Sequence, residues 1–321
     1  MHRTLRSLLG PRPRRRTIAV SVPLAVVALL LINTVSVEQQ DAPATGQPTL
    51  SVGGELIHIA QDGPRDAPAL VLIHGFSASI RSWDLLVPRL SASYRVIRID
   101  LLGHGRSAKP TGSSYTIPDQ GLRVGEVLDQ LGVTRAVVVG HSTGGSVATA
   151  LAEQRPDLVT ALALINTGPS TDAVIPQGPV NELLEIPVVG QLLWRLRTDS
   201  LIRQAAATAV TRDVPIPQAI VDDVRGMTYH AFTATARAAV DYLQQRPLPD
   251  RLATLGAPLL VIFGGEDRRW RSSSAADYRA VPGMKIEMLP GVGHSPLIED
   301  PPRTAELLLA FVAAHPVHAG G

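Results

Sequence analysis

The 321-residue sequence predicts an α/β chain: a mostly parallel, twisted sheet with helices on both faces, a long insertion late in the domain, and one N-terminal transmembrane helix ahead of it. Three observations point there. Short apolar runs bounded by Gly, Pro, Asp or Asn alternate with longer segments of helical spacing. A long stretch from Gly168 to about Pro249 breaks that rhythm. Residues 17–37 form one uncharged, mostly apolar run.

At the amino end, Arg3, Arg6, Arg12, Arg14, Arg15 and Arg16 are accompanied by no acidic residue. They hide the charge of the rest of the chain, since without them 24 basic residues face 28 acidic ones, a net −4. A nucleic-acid partner is therefore not expected, because backbone binding needs clustered positive charge on the folded domain. The run 17–37 is long enough to cross a bilayer core. By the positive-inside rule, residues 1–16 form a cytoplasmic tail and the rest of the chain lies outside the cytoplasm. Thr34-Val35-Ser36 offers a weak cleavage site, so a secreted protein released from a signal segment is the alternative to an anchor. Residues 38–48 are polar and rich in Pro, Ala and Gln, as a linker is. The domain is expected over 49–321.

With no cysteine, the chain has no disulfide, thiolate metal site or cysteine nucleophile. Strands are expected at 56–59, 69–73, 95–99, 136–139, 162–165, 259–263 and 285–289. With helices between them these make a parallel sheet, whose ligands bind beyond the carboxyl ends of the strands. Four strand ends there carry motifs.

The strongest is Gly140-His141-Ser142-Thr143-Gly144, after the run AVVV and before a helical pattern. It matches G-x-S-x-G in a strand–turn–helix setting, where the serine sits on a sharp turn and Gly140 and Gly144 leave room for close backbone approach. The helix that follows aims its amino end, with unpaired N–H groups, at the same place. His74-Gly75-Phe76 follows the run ALVLI, Asp100-Leu101-Leu102-Gly103-His104-Gly105-Arg106-Ser107 follows RVIRI, and Gly293-His294 heads the run GHSPLIEDP.

Those four motifs, in their order along the chain, resemble the α/β-hydrolase superfamily over residues 50–312. The resemblance implies a serine nucleophile at Ser142, a histidine base at His294 and an acid after a late strand, in the order Ser, Asp, His. Asp267 in Gly264-Gly265-Glu266-Asp267 takes the acid role, with Glu266 as its rival. Some members place the acid one strand earlier, where this chain has the uncharged Asn166. The family pattern assigns the oxyanion to the backbone N–H groups of Phe76 and Thr143. His74, His104, His141, Asp100, Gly103 and Gly105 fall at positions that shape loops, and His58, His230, His315 and His318 have no motif around them.

The family also places a lid at about 169–249, and Val188, Leu192, Leu193, Trp194, Met227, Tyr229 and Phe232 suit a helical roof over a hydrophobic pocket. The resemblance thus implies a hydrolase of carboxylic esters that needs no cofactor or metal and acts through an acyl-enzyme on an apolar small-molecule acyl substrate; contact with the membrane is expected separately, from the run 17–37. Lactone, amide, carbon–carbon and perhydrolase chemistry use the same constellation, and a catalytically silent binding or scaffold protein is the reading from another class.

Overall fold

The computed structural model describes residues 48–316. The tail 1–16, the run 17–37 and the linker up to residue 47 lie outside them. No helix among the described residues is long and apolar enough to cross a membrane. Pro48, the last expected linker residue, already joins the folded body, its carbonyl accepting the Ile59 N–H at 3.1 Å.

Eight strands form one sheet: β1 (Thr49–Val52), β2 (Glu55–Asp62), β3 (Ala69–Ile73), β4 (Arg95–Ile99), β5 (Ala136–His141), β6 (Val159–Ile165), β7 (Leu259–Gly264) and β8 (Lys285–Leu289). Their order is β1-β2-β4-β3-β5-β6-β7-β8. Every pair from β4 to β8 is parallel, and β2 runs antiparallel to both its neighbours. Seven of the strands are those expected, some longer at their ends. The short β1 was not anticipated; it owes its place to the Gly53-Gly54 hairpin, both glycines having positive φ.

The central strands are buried on both faces. Val71, Ile73, Ala136 and Val138 pack on one side with helices α1 (Ile117–Gln130) and α2 (Thr143–Gln154). Their neighbours Leu70, Leu72, Val137 and Val139 pack on the other, with Trp83, Leu86 and the last helix, Pro301–Ala314. The period of two puts alternate residues on opposite faces, and each such buried aliphatic contributes about 1.5–3 kcal/mol. From β3 the chain moves outward to β4, then returns to β5 on the other side of β3. That reversal opens a crevice beyond the carboxyl ends of β3 and β5, where an open α/β sheet binds ligands.

Between β6 and β7 lies a helical insertion: α3 (Pro179–Glu185), α4 (Pro187–Leu196), α5 (Asp199–Ala207), α6 (Gln218–Gly226) and α7 (Tyr229–Gln245). Trp194 and Met227 are buried in it. Val188 and Leu192, expected to face a pocket, lie on the outer side of α4 at 55% and 47% exposure. The helix has apolar residues on both sides, and only Gly190 and Trp194 are buried, against Leu184, Tyr229, Met227 and Phe232 of the same insertion.

Candidate active site

Ser142 stands at the turn from β5 into α2 with φ 51° and ψ −123°. That left-handed backbone is uncommon for a residue with a side chain and persists only where its surroundings enforce it. They do so here. The Ser142 N–H donates to the Ile165 carbonyl at 2.9 Å, and its own carbonyl accepts the Gly145 N–H and the Thr167 hydroxyl. A Cβ on Gly140 would lie 2.4 Å from the Gly144 carbonyl oxygen, and one on Gly144 2.3 Å from that of Ile73. Both positions thus exclude any side chain, as the motif implied.

The Ser142 hydroxyl oxygen lies 3.1 Å from His294 Nε2, and His294 Nδ1 lies 2.9 Å from Asp267 Oδ2. A carboxylate only accepts, so Nδ1 carries the proton and Nε2 turns a lone pair toward the serine. Asp267 is buried after β7. Its Oδ2 also accepts Asn166 Nδ2 at 2.7 Å, while Oδ1 accepts the backbone N–H groups of Arg269 and Trp270. Burial pushes its carboxyl up, but His294 and these donors outweigh that and hold it below the usual carboxylate range. Glu266 is exposed, so of the two candidate acids Asp267 is the one brought to His294.

The loop bearing Phe76 closes on the serine, since a Cβ on Gly75 would lie 3.2 Å from Ser142 Cβ. Thr143 is the first residue of α2, whose leading N–H groups have no partner within the helix. Among the described residues neither the Phe76 nor the Thr143 N–H donates a hydrogen bond, and both are free to hold a developing oxyanion. The Phe76 ring packs on Phe232 of α7 at 4.9 Å between centroids, and Phe232 on Trp194 at 4.4 Å.

Four other described histidines, His58, His74, His104 and His141, are held in loop contacts. His74 donates from Nδ1 to the Gly75 carbonyl and accepts the Leu101 N–H at Nε2, so it bridges two loops as a neutral ring. His141 donates from Nε2 to the His294 carbonyl at 2.9 Å. Burial pulls His104 and His141 down to about 3. Asp100 sits at the centre of its turn, accepting from His58, Ile80 N–H and Arg106 N–H, and a Cβ on Gly105 would strike its carboxyl. No motif surrounds His58, and its contact with Asp100 spans 42 positions.

A cavity of about 50 Å³ adjoins Ser142 and Thr143, walled by Trp270, Leu243, Val240 and Ala239. None of these four was expected from sequence; α7 brings three of them over the serine. Asn166, noted only as a residue that cannot be the acid, was missed as the support of Asp267. Its signal was an asparagine closing a strand, one of the few side chains that tolerates a φ of 46°.

A sheet of this order, with serine, histidine and acid gathered from three of its strand ends, defines the α/β-hydrolase class of protein. The chain belongs to the alpha/beta hydrolase family, whose model matches residues 70–307. It is 32% identical over 261 residues to an uncharacterized protein of Mycobacterium tuberculosis (strain ATCC 25618 / H37Rv), covering 76% of this chain and 75% of that one. It is 26% identical over 275 residues to the monoacylglycerol lipase abhd6-B of Xenopus laevis, covering 80% and 79% of the two. Among solved structures it is similar to a membrane phospholipase A described as a bacterial virulence factor, with TM-score 0.67 and 27% identity, covering 94% of this chain and 98% of that one.

Proposed function

We propose that this protein is a serine hydrolase of carboxylic esters, acting through an acyl-enzyme on apolar acyl substrates at a membrane. The observation that carries the reading is the continuous contact from Ser142 Oγ to His294 to Asp267, at 3.1 and 2.9 Å. His294 Nε2 takes the serine proton as Oγ bonds to the ester carbon, and the carbonyl oxygen becomes an oxyanion held by the Phe76 and Thr143 N–H groups. As the carbon–oxygen bond to the alcohol breaks, His294 gives that proton to the leaving oxygen. Water then adds to the acyl carbon with His294 as base, the Ser142 ester bond breaks, and the serine regains its proton. Asp267 keeps the imidazole in one tautomer and balances the imidazolium. Every step is supplied by side chains and N–H groups of this chain, so the mechanism calls for no cofactor.

The ester-lipid relatives support the choice of substrate class, and the charge-free run 17–37 supports an anchored domain outside the cytoplasm. The test is labelling of the full chain by a fluorophosphonate probe, followed by a panel of esters graded in acyl length. Labelling that disappears in Ser142→Ala is expected. A folded wild-type protein that stays unlabelled would leave the silent binding or scaffold role in its place.

A further inference from the structure

Glu299 lies five residues beyond His294, in the short helical segment Pro296–Glu299, and is 4% exposed. A buried carboxylate is costly unless hydrogen bonds meet its charge. Four backbone N–H groups do so here. Oε2 accepts Gly293 at 2.9 Å, Thr211 at 2.7 Å and Arg212 at 3.0 Å, and Oε1 accepts Ser295 at 3.1 Å. Two of these donors flank His294 directly. The other two belong to the insertion, in the turn after α5.

The same turn grips the base loop at further points. The His294 N–H donates to the Ala209 carbonyl at 2.8 Å. The Arg212 guanidinium reaches the carbonyls of Gly291 and Glu299 and pairs with Asp300 at 2.9 Å. It also touches the acid loop, where the Thr211 hydroxyl donates to the Glu266 carbonyl at 3.1 Å. Consecutive amides 293, 294 and 295 are thus all held, the outer two by Glu299 and the middle one by the insertion itself. A Cβ on Gly293 would come within 2.9 Å of Ala209 O and Thr211 N, so the two segments touch without a gap.

We propose that Glu299 is a positioning residue that fixes the His294 loop to the 209–212 turn of the insertion, so that the insertion sets the place of the base as well as covering the site. The proposal rests on the reading of His294 as base. A charged acceptor suits the task because one carboxylate offers enough lone pairs for four donors, each bond to a charged group being stronger than a neutral one. Movement of the turn withdraws the Ala209 carbonyl from His294 and two donors from Glu299 at once, which loosens the imidazole from Ser142.

The first measurement uses the wild-type full chain in detergent micelles. If Glu299 ties the segments together, the amides of Gly293, Ser295, Thr211 and Arg212 open as one unit and share one hydrogen-exchange protection. Protected Gly293 and Ser295 beside freely exchanging Thr211 and Arg212 would overturn the proposal whether or not any substrate is known. The second compares Glu299→Gln, whose amide NH2 faces donors, with Val127→Ala, a core change remote from the site. Glu299→Gln should lower kcat about a hundredfold, as a misplacement of about 1 Å does. KM should stay within about twofold, and the downfield proton resonance of the His294–Asp267 hydrogen bond should broaden. Val127→Ala should keep both kcat and that resonance. A folded Glu299→Gln with wild-type kcat and an unchanged resonance would reduce Glu299 to a structural residue. Should Glu299→Gln not fold, the amide exchange alone decides.

Discussion

Asn166 Nδ2 donates to Asp267 Oδ2 at 2.7 Å, the same oxygen that meets His294 Nδ1 at 2.9 Å. Asn166 follows β6 directly with φ 46°, and its own amide oxygen accepts the Gly264 N–H while Nδ2 also reaches the Gly293 carbonyl. One side chain therefore spans the end of β7, Asp267 and the loop that carries His294. Replacing it by aspartate sets two carboxylates at this distance, where like charges resist ionising together and raise a pKa of the pair. In Asn166→Asp the acidic limb of kcat/KM should move to higher pH than in the wild type. An unmoved limb would mean that Asn166 only fills space.

The three contacting side chains should behave as one unit. Ser142→Ala and His294→Ala are each expected to lower turnover by several orders of magnitude, and the double variant to cost little more than either alone. Asp267→Asn should lose roughly 10⁴-fold, because the uncharged amide favours the wrong imidazole tautomer. Glu266→Gln, altering an exposed side chain, should be mild. Steady-state kinetics on the best ester of the panel checks all five, and full activity in Ser142→Ala would end the mechanism.

The cavity beside Ser142 is far smaller than the roughly 300–1,000 Å³ of a drug-sized ligand site. With the insertion placed as it is, short acyl groups should react fastest. Leu243→Ala removes part of the wall, and the ratio of kcat/KM for an octanoyl over an acetyl ester should rise by at least about tenfold. Equal loss on both esters would show that Leu243 supports the core and does not gauge the acyl chain.

Acid should destabilise the protein early. His104 and His141 are held at about 3 when folded, against 6.5 for an unperturbed ring. Below pH ~6.5 the unfolded chain takes up protons that the folded chain refuses, so stability is lost as pH falls from about 6.5 toward 3. Denaturant unfolding at a series of pH values should give a slope about 1.4 kcal/mol per pH unit shallower in His104→Leu, the contribution of one proton. The same slope in both proteins would mean that His104 protonates equally in either state.

Cell fractionation addresses the N-terminal run. With 17–37 as an anchor, the protein should stay with membranes through a high-salt wash and be digested by protease added from outside. Soluble protein beginning near Val37 would establish the cleaved signal in its place.

How much of this was legible beforehand follows from the range of the interactions. Strands β3 to β7 were readable because a strand buried on both faces writes a local apolar run between turn residues, and Ser142 because its turn demands small residues at fixed spacing. Gly140 and Gly144 are required by backbone atoms within reach of that one turn or of the neighbouring strand end. The short β1 left too little pattern, and Val188 and Leu192 were misplaced because an apolar residue on a helix does not say which side meets the body.

The sequence by itself determined the α/β class, the serine at its elbow and the histidine that follows the last strand, since each rests on steric and burial rules acting over a few residues. Only the tertiary structure decided that Asp267 and not Glu266 faces His294, that Asn166 supports it, that α7 walls the cavity, and that Glu299 accepts from both the His294 loop and the insertion. Those contacts bridge 101 positions from Asn166 to Asp267 and 88 from Thr211 to Glu299. Hydrogen bonds of that span depend on where separate strand ends and loops meet, and no local spacing in the chain encodes that meeting.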